Sequence, residues 1–499
     1  MNVMMLLEMA SQAMGERVAV QCGEERWTVA QLFEGAGRLA SRFRSAGVEH
    51  VALLDVASPA VPLALFGASW GGVPFVPLNY RLTGEELDAL IERITPALLV
   101  TDAERAAVLS GREGLQVITR EELAALARGG EPSAGPDWSM DPEGVAILLF
   151  TSGTTGVPKA AVLRHKHMVS YILGSVEFMA AQESDAVLVS VPPYHVAGMA
   201  ALLSSLYAGR RMVLLPGFDA RQWLELAEKE AVSNAFVVPT MLARIVQSLE
   251  EGGVGAPSAL RSLAYGGGKM PLPVIERAMR LLPAVDFTNA YGLTETSSTI
   301  AVLGPEDHRV AAASQDERAR RRLASVGRPL PSIEVEIRDE EGRPLPPGER
   351  GEIHVRGEQV SGEYAGRGSQ LLEGGWFPTR DGGFLDEEGY LFIDGRIDDV
   401  IVRGGENLSP GEIEDVLHEH PAIADCAVVG VPDEEWGEAV AAAVVCEPGA
   451  EVAASELQDW VKRHLRSSRV PQRIAFWSEL PYNETGKLLR RAVRQRLAG

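Results

Sequence analysis

Residues 145–159 read VAILLFTSGTTGVPK, an apolar run followed at once by a loop of small and hydroxyl-bearing residues. The apolar part, residues 145–150, predicts a short buried strand. In the loop, small residues let backbone N–H groups converge on an anion, hydroxyls add donors, and Lys159 supplies positive charge. The spacing is not that of a Walker loop, because Lys159 follows a proline and no serine or threonine succeeds it. By composition alone, an exposed flexible loop fits as well as a phosphate site.

The segments before this loop alternate between helical and strand patterns. Residues 28–46 have helical periodicity, and residues 50–56 form a mostly apolar strand pattern. Thr83 and Glu86 have the spacing of a capping box at the start of another helix, and residues 97–101 follow as a strand. Repeated strand–helix units with short connections predict an α/β fold in which sheets and helices form layers.

Residues 56–80 carry no charged side chain and are long enough to cross a bilayer. Prolines and glycines interrupt the stretch repeatedly, which is atypical of one spanning helix. We therefore predict a buried helix, a turn and a strand here, and no integral membrane association. The interrupting residues are Pro59, Pro62, Gly67, Gly71, Gly72, Pro74 and Pro77.

The chain has 499 residues, several times the length of a typical domain, so two or more domains are expected. We predict a large N-terminal domain of several subdomains over residues 1–394 and a small α/β C-terminal domain over residues 395–499. The boundary is placed near Gly395 because a compact α/β pattern begins there. Its predicted elements are helix 411–420, strand 426–431, strand 439–445, helix 455–465 and strand 474–476.

The formal net charge is −22, from 47 basic and 69 acidic side chains. This excess argues against a nucleic acid or an anionic membrane as a partner, because a phosphate surface would be repelled. The cysteines Cys22, Cys426 and Cys446 form no C-x-x-C pair, which argues against a disulfide framework or a zinc site. Together with an N-terminus that lacks a basic signal-peptide region, they predict a cytoplasmic protein.

Residues 148–165 (LLFTSGTTGVPKAAVLRH) resemble the phosphate-loop signature of the superfamily of acyl- and aryl-CoA synthetases, peptide-synthetase adenylation domains and luciferases. Further motifs follow in the family's order, so the resemblance covers nearly the whole chain. It implies that Lys159 is a catalytic residue acting on the phosphates of ATP. The family usually has glycine after this lysine, where this chain has Ala160. The ATP-binding loop residues implied are Thr151, Ser152, Gly153, Thr154, Thr155 and Gly156.

Two further motifs concern the acyl pocket. Residues 191–195 (VPPYH) resemble the motif whose histidine lines that pocket, which makes His195 a candidate catalytic residue. Outside such a motif a lone histidine is more often structural. Residues 265–268 (YGGG) end a strand-like segment, and the family's backbone approaches both adenine and the acyl group there; a tight turn is the alternative. The nucleotide-binding residues implied are Gly266, Gly267 and Gly268.

Residues 289–295 (NAYGLTE) resemble the family's central adenylate motif. By that resemblance Tyr291 packs on adenine, Thr294 contacts the α-phosphate and Glu295 helps to hold Mg²⁺. Each role suits its chemistry, since an aromatic face fits a base and a hard oxygen ligand fits magnesium. The motif also implies nucleotide contacts at Asn289, Ala290 and Gly292.

Residues 376–381 (WFPTRD) match the motif in which an aspartate, here Asp381, accepts hydrogen bonds from both ribose hydroxyls. Arg396, farther along, is expected to reach the ribose or a phosphate. The family normally has glycine where this chain has Arg380. We expect Arg380 close to the nucleotide, with its guanidinium paired either with a phosphate or with a nearby carboxylate.

Residues 391–414 (LFIDGRIDDVIVRGGENLSPGEIE) resemble the hinge and the opening of the family's mobile C-terminal domain. The resemblance implies a hinge at Asp398 and a thiol tunnel lined by Gly404 and Gly405. Near the end of the chain, the PYNETGK string matches the terminal motif that carries the adenylation lysine, here Lys487.

The resemblance implies an acid–CoA ligase that uses ATP, Mg²⁺ and CoA. A carboxylate attacks the α-phosphorus of ATP and releases pyrophosphate, and a thiol then attacks the acyl-AMP and releases AMP. One alternative is a free-standing adenylation enzyme that loads a separate carrier protein. A second is a non-catalytic AMP-binding regulator, which only Arg380 favours. A luciferase-like oxygenase matches the same motifs.

The acyl pocket is predicted to be apolar. No acid lies near Tyr194 and His195, where amino-acid-activating relatives carry an aspartate, and an unpaired ammonium is costly to bury. We therefore predict a fatty, aryl or alicyclic acid. Lys269 would favour a second carboxylate on the acid if its ammonium turned inward. The predicted lining residues are His195, Val196, Ala197, Met199, Gly266, Gly267, Gly268 and Ala290.

Overall fold

The computed structural model describes residues 1–129, 137–151, 158–483 and 488–498. Its helices are α1 (Met4–Met14), α2 (Val29–Ser45), α3 (Ala60–Gly71), α4 (Gly84–Ile94), α5 (Ala103–Leu109), α6 (Arg120–Arg128), α7 (His165–Ser175), α8 (Val196–Ala208), α9 (Ala220–Lys229), α10 (Pro239–Glu251), α11 (Leu272–Leu281), α12 (Pro305–Ala313), α13 (Glu317–Arg320), α14 (Pro410–His418), α15 (Ala454–His464) and α16 (Arg490–Ala498).

The strands that precede the central adenylate motif are β1 (Val18–Cys22), β2 (Glu25–Thr28), β3 (His50–Leu54), β4 (Phe75–Pro77), β5 (Ala97–Thr101), β6 (Leu115–Thr119), β7 (Val145–Thr151), β8 (Lys159–Arg164), β9 (Ala186–Val189), β10 (Arg211–Leu214), β11 (Asn234–Val237) and β12 (Ser262–Gly266). The strands from that motif onward are β13 (Asp286–Leu293), β14 (Ser298–Leu303), β15 (Arg328–Pro329), β16 (Glu334–Arg338), β17 (Gly351–Arg356), β18 (Glu363–Tyr364), β19 (Gly368–Ser369), β20 (Phe377–Leu385), β21 (Leu391–Arg396), β22 (Ile401–Arg403), β23 (Glu406–Leu408), β24 (Ile423–Asp433), β25 (Gly437–Cys446) and β26 (Arg473–Phe476).

These strands form four sheets. The two large ones have the orders β15-β14-β13-β12-β11-β9-β10-β1-β2 and β19-β18-β8-β7-β4-β3-β5-β6. Their central strands run parallel, as helical crossovers between strands require. The smaller sheets are β16-β17-β20-β21 and β23-β22-β25-β24, with β26 beside β25. The predicted α/β class, with a large N-terminal and a small C-terminal domain, is confirmed. The exact boundary near residue 395 stays a prediction.

Local sequence signals explain where several helices begin. The Thr28 hydroxyl accepts a hydrogen bond from the Gln31 N–H, and the Gln31 side chain accepts one from the Thr28 N–H, so a capping box starts α2. The box predicted at Thr83 is wrong, because within the described chain its hydroxyl accepts no cap hydrogen bond. Gly84, the next residue, has a φ of +57°, so the first turn of α4 lacks the dihedral angles that the box needs.

The uncharged stretch at residues 56–80 forms a buried helix, a turn and a strand, as predicted. Its helix, α3, is buried along nearly its whole length and packs against α2. The two helices meet so closely that a Cβ at Gly67 would lie 2.8 Å from the Cβ of Leu39. Within the described ranges, no helix is both long and apolar enough to cross a membrane.

One large apolar cluster joins the two large sheets. It takes residues from α1, α2, α3, α7 and α8, and from strands of both sheets, such as Val20 and Met212 in one and Val51 and Phe75 in the other. Because these residues are almost completely buried, the two sheets pack as one unit. The strand ends of both sheets therefore have fixed positions relative to each other.

The C-terminal elements follow the predicted order, and a buried ion pair ties them together. Glu414 of α14 accepts a hydrogen bond from the Val428 N–H at 2.7 Å and pairs with the Arg490 guanidinium of α16 at 2.6 Å. A second ion pair joins the two parts of the chain, since Lys269 Nζ lies 2.5 Å from Asp415 Oδ1.

Two histidines at the start of α7 are buried in their neutral form. His165 Nδ1 accepts a hydrogen bond from the Val3 N–H at 3.4 Å, and His167 Nδ1 accepts one from the Arg164 N–H at 3.2 Å. Burial lowers the pKa of both imidazoles to about 4. Protonation would place an uncompensated charge in the core and replace an acceptor by a donor.

Acidification from about pH 6.5 toward pH 4 is therefore expected to destabilise the fold. Between these pH values the two histidines are protonated in the unfolded chain but not in the folded chain. The free energy of unfolding therefore falls as the pH falls, by up to about 1.4 kcal/mol per pH unit for each histidine. Urea unfolding across this pH range measures the slope. In His167→Asn, the amide oxygen replaces Nδ1 as the acceptor, and the slope should drop by the share of one histidine. An unchanged slope would contradict this assignment.

Candidate active site

Two parallel strands bring the glycine segment against the adenylate motif. β12 ends at Gly266, which lies opposite Ala290 of β13. A Cβ at Gly266 would lie 2.2 Å from the Ala290 carbonyl oxygen, so no other residue fits without displacing the strand. Gly267 then has a φ of +83°, where the chain leaves the sheet. The turn considered for this segment is therefore present at the carboxyl ends of these strands, and its contact with adenine and the acyl group stays a prediction.

Asn289 and Gly292 shape the motif from within. Asn289 is buried, and its side-chain amide donates to the Ser325 carbonyl at 3.1 Å. A Cβ at Gly292 would lie 1.8 Å from the Ser298 carbonyl oxygen, where β14 pairs back onto β13. These two residues are needed for the course of the backbone around Tyr291.

The predicted adenine and ribose residues form one hydrogen-bonded group. The Tyr291 hydroxyl donates to Asp381 Oδ2 at 2.6 Å, and the Arg396 guanidinium donates to Asp381 Oδ1 at 2.9 Å. Asp381 and Arg396 face each other across the β20–β21 pair, and Arg396 also donates to the Thr379 carbonyl at 3.1 Å. Burial and the adjacent Asp381 charge raise the pKa of Tyr291, so its hydroxyl stays a donor.

Glu295 and Lys159, both predicted to be catalytic, contact the same tyrosine. Glu295 lies in a short 3-10 turn, Thr294–Thr296, that follows β13. Its carboxylate accepts a hydrogen bond from the Tyr364 hydroxyl, and the Lys159 ammonium lies 5.3 Å from the centre of the Tyr364 ring. Burial and the Glu295 charge raise the pKa of Tyr364. One phenol thus contacts a carboxylate through its hydroxyl and an ammonium through its ring.

No motif in the sequence marks Tyr364 as a site residue. It lies in the segment SGEYAG, outside every motif that carried the resemblance, and a single tyrosine has no periodicity that would mark it. Its position depends on the pairing of β18 with β8, in which Tyr364 lies opposite Ala161. This pairing, together with hydrogen bonds from Ser361 and Gly362 to the Glu295 carbonyl, brings it to the site.

His195 is the N-cap residue of α8, and its imidazole is neutral. Burial lowers its pKa to about 4, and the nearby positive charge of Arg81 adds to this shift. Its Nε2 atom is buried and has no hydrogen-bond partner among the residues that the structure describes. The ring lies 4.4 Å, centre to centre, from the Tyr194 ring. An uncharged buried nitrogen of this kind suits a pocket for an apolar ligand with one polar contact.

Arg380 pairs with a carboxylate. Its Nη2 atom donates to Asp398 Oδ1 at 2.6 Å, and its backbone N–H donates to Glu352 Oε1 at 3.1 Å. Arg380 is exposed between the buried residues Thr379 and Asp381, and its φ is +62°, a left-handed conformation that glycine adopts more readily. The family's usual glycine is thus replaced by an arginine that keeps the backbone conformation of glycine and gains an ion pair with the predicted hinge.

Lys269 points toward the C-terminal domain. Besides its ion pair with Asp415, its ammonium donates to the Gly411 carbonyl at 3.3 Å. This contact opposes the inward orientation that would have favoured a second carboxylate on the acid.

At the phosphate loop, Thr151 and Lys159 are partners across the β7–β8 pair. Ala160 lies opposite Phe150 in the same extended pair, where a side chain in place of glycine fits. Six predicted site residues lie outside the described residues: Ser152, Gly153, Thr154, Thr155, Gly156 and Lys487.

The predicted thiol-tunnel residues lie in the turn between β22 and β23. Gly404 and Gly405 have φ values of +58° and +84°. The Gly404 N–H donates to the Trp436 carbonyl at 2.8 Å, and a Cβ at Gly404 would lie 2.8 Å from the Trp436 ring. Glycine is therefore required at this turn by both conformation and space.

The comparisons with known proteins identify the family of the chain. The model of the AMP-binding enzyme family matches residues 7–365, and that of the AMP-binding enzyme C-terminal domain matches residues 412–487. The chain is 34% identical to the fatty acid–[acyl-carrier-protein] ligase ScoC of Streptomyces coeruleorubidus, over 96% of this chain and 93% of that protein. It is also 34% identical to a feruloyl-CoA synthase of Amycolatopsis sp, over 96% and 95%.

A solved structure extends the likeness to the whole fold. O-succinylbenzoate coenzyme A synthetase of Bacillus subtilis, in complex with ATP and magnesium ion, superposes with a TM-score of 0.83 at 30% identity and covers 99% of both chains. The resemblance that the motifs carry is thus confirmed over the length of the chain. This protein belongs to the AMP-binding enzyme family, the superfamily of adenylate-forming enzymes.

Proposed function

We propose that this protein is an ATP-dependent carboxylic acid–CoA ligase that works through an acyl-AMP intermediate and releases pyrophosphate and AMP. The observation that carries the proposal is that one motif of this family member, residues 289–295, carries both Tyr291, which is bonded to Asp381 beside Arg396, and Glu295, which is bonded to Tyr364 beside Lys159. The first group suits a nucleoside and the second suits its phosphates.

In the first half-reaction a carboxylate oxygen of the acid attacks the α-phosphorus of ATP, and pyrophosphate leaves. The protein supplies alignment and charge neutralisation, because no covalent nucleophile is needed. We assign Lys159 and Lys487 to the phosphate charges and Thr294 to the α-phosphate. Gly267 and Gly268, which follow β12, are exposed and carry no side chain, so they leave room for the acid and the nucleotide.

The nucleoside is held by the buried group around Asp381. Each Asp381 oxygen already accepts one hydrogen bond, from Tyr291 or from Arg396, and each has a second lone pair. Two such free positions on one carboxylate suit the two hydroxyls of a ribose. The same hydrogen bond fixes the Tyr291 ring, which is then presented rigidly to the adenine.

Glu295 is suited to bind an Mg²⁺ ion that is also bound by ATP. Magnesium in such sites is held by one or two carboxylates together with substrate phosphates, rather than by a cage of protein ligands. In the described chain no group of three or more histidine, cysteine, aspartate or glutamate residues is placed to hold a metal by itself. When bound, the metal neutralises charge on the phosphates.

In the second half-reaction the thiol of CoA attacks the acyl-AMP carbonyl, and AMP leaves. We assign Asp398 as the hinge about which the C-terminal domain turns between the two steps, and the turn at Gly404 and Gly405 as the wall of the thiol tunnel. The open side of the turn at Gly405 supports the second assignment, because no atom lies within 4 Å of a Cβ built there, whereas Gly404 packs against the Trp436 ring.

The acid is proposed to be apolar, namely a fatty, aryl or alicyclic acid. His195 is neutral, Lys269 is engaged by Asp415, and Met199 is fully buried in α8. Met199 also lines an apolar cavity of about 20 Å³, which is too small to hold an acyl chain. The acyl pocket is therefore expected to end at Met199. The cavity is lined by Val20, Ala57, Val61, Pro62, Val189, Val191, Pro193, Gly198, Met199, Leu202, Met212 and Leu214.

The second candidate function is the loading of a separate carrier protein. It is favoured by the similarity to ScoC, whose name specifies an acyl-carrier-protein acceptor. The non-catalytic regulator loses its only support, because Arg380 pairs with Asp398 and leaves Asp381 with Tyr291 and Arg396. We also propose a cytoplasmic location, in which the free thiols Cys22, Cys426 and Cys446 stay reduced.

Acid-dependent release of AMP and formation of a CoA thioester test the function. With ATP, Mg²⁺ and CoA, octanoate and benzoate are expected to exceed succinate and phenylalanine in kcat/KM by about tenfold or more, which corresponds to ~1.4 kcal/mol. Lys487→Ala should abolish acyl-AMP formation and spare thioester formation from supplied acyl-AMP. A preference for succinate or phenylalanine would refute the apolar pocket. Transfer only to a carrier protein would select the second candidate.

Met199→Ala is expected to join the predicted acyl pocket to the apolar cavity that Met199 lines. The ratio of kcat/KM for dodecanoate to that for octanoate should rise several-fold, since each buried methylene contributes about 0.8 kcal/mol. Met212→Ala is the matched control, because Met212 lines the same cavity from β10, outside the predicted acyl pocket. Both variants should lose about 2–5 kcal/mol of stability, but only Met199→Ala should change the ratio. Equal ratios in the two variants would contradict this boundary.

Arg380→Gly and Arg380→Ala separate backbone strain from the ion pair. Both remove the contact with Asp398, but only glycine relieves the left-handed backbone, so the glycine variant should be more stable than the alanine variant by about 1 kcal/mol. The KM for ATP should change less than about twofold in both, because the guanidinium faces the hinge. The ratio of the two half-reaction rates should shift by up to about fivefold, the range of an exposed ion pair. A tenfold rise in the ATP KM would place Arg380 at the nucleotide.

A further inference from the structure

Tyr364 contacts two oppositely charged residues of the proposed phosphate site. Its hydroxyl donates to the Glu295 carboxylate, and its ring lies under the Lys159 ammonium. Within the described ranges, no ion pair of 4.0 Å or less joins Lys159 to Glu295. The phenol thus contacts both charged groups while the two stay apart.

The pairing of β18 with β8 explains why the ring reaches Lys159. Tyr364 lies opposite Ala161, and Lys159 is two residues before Ala161 on the same face of β8. A diagonal neighbour of this kind is within reach of an aromatic side chain, and the methyl group of Ala161 leaves the strand surface open beneath the ring. An ammonium about 5 Å from the ring centre is in the range of a cation–π interaction.

The Glu295 side of the contact is fixed by the backbone. The Glu295 carbonyl accepts hydrogen bonds from the Ser361 N–H at 2.8 Å, the Ser361 hydroxyl at 3.0 Å and the Gly362 N–H at 3.1 Å. The segment that carries Tyr364 is therefore anchored to the very residue whose carboxylate the tyrosine contacts. Such an anchored donor holds one carboxylate oxygen and leaves the other available to a ligand.

We propose that Tyr364 is a positioning residue for Mg²⁺–ATP: its hydroxyl orients the Glu295 carboxylate toward the metal, and its ring holds Lys159 apart from Glu295 and toward the phosphates. This assignment rests on the proposed adenylating function of the site. Without the phenol, Lys159 and Glu295 would neutralise each other, and ATP would have to separate them before it could bind. With it, both charges are already in position.

Two substitutions separate the two contacts. Tyr364→Phe keeps the ring and loses the hydroxyl, so the Mg²⁺ concentration for half-maximal acyl-AMP formation should rise at least about fivefold, with the KM for the acid unchanged. Tyr364→Leu also loses the ring, so the KM for ATP should rise in addition. Tyr390→Phe is the matched control: its hydroxyl donates to Asp307 at 2.6 Å in a like tyrosine–carboxylate pair, outside the proposed site. It should leave both values unchanged.

A binding measurement makes the test independent of turnover and of the acid. Calorimetric titration of ATP, with and without Mg²⁺, should show that Tyr364→Phe reduces the gain in affinity that Mg²⁺ provides. In a Glu295→Gln background the same substitution should have no further effect, because Tyr364 acts through that carboxylate. An undiminished gain, or additive losses, would overturn the proposal. Loss of the proposed function itself would appear differently, as Mg²⁺–ATP binding without AMP release by any acid.

Discussion

The strands that carry the glycine segment and the adenylate motif, β12 and β13, lie very close together at their carboxyl ends. A Cβ atom at position 266 would collide with the Ala290 carbonyl, so only glycine fits there. This contact sets the distance between the chain that leaves β12 and the motif on β13. Ligands of open parallel sheets bind in the crevice outside the carboxyl ends of the strands, which is where this contact lies. The Tyr291 ring and the Glu295 turn are placed relative to this pair of strands, and the remaining site residues are brought to them.

Tyrosines recur as the groups that order the charges of the site. Tyr291 donates to Asp381, and Tyr364 donates to Glu295. In both cases burial, together with the adjacent carboxylate, raises the pKa of the phenol, so the hydroxyl stays a donor. At Glu295 this neutral donor orients the carboxylate without adding a positive charge to it. Asp381 differs, because it also pairs with the Arg396 guanidinium, and its remaining lone pairs stay available to ribose hydroxyls.

Arg380 replaces the glycine that is usual in the family, and its backbone keeps the left-handed conformation that favours glycine. A left-handed arginine costs about 1 kcal/mol relative to glycine, and its N–H bond to Glu352 and its ion pair with Asp398 offset that cost. The strain is local, since Asp381 beside it keeps both of its partners. An exposed ion pair to the predicted hinge is weak enough to break when a domain moves. The departure therefore affects the hinge more than the nucleotide.

The sequence alone determined the family, the α/β class and most elements, because strand and helix patterns are local and the motifs are contiguous strings. It also identified Asp381, Arg396 and Tyr291, which the structure brings together. The spacing of Thr83 and Glu86 predicted a capping box for α4 that does not form, because Gly84 has a left-handed backbone conformation. The tertiary structure alone decided the position of Tyr364 and the partners of Arg380 and Lys269. These contacts join residues far apart in the chain, and strand pairing and domain packing, which no local pattern encodes, bring them together.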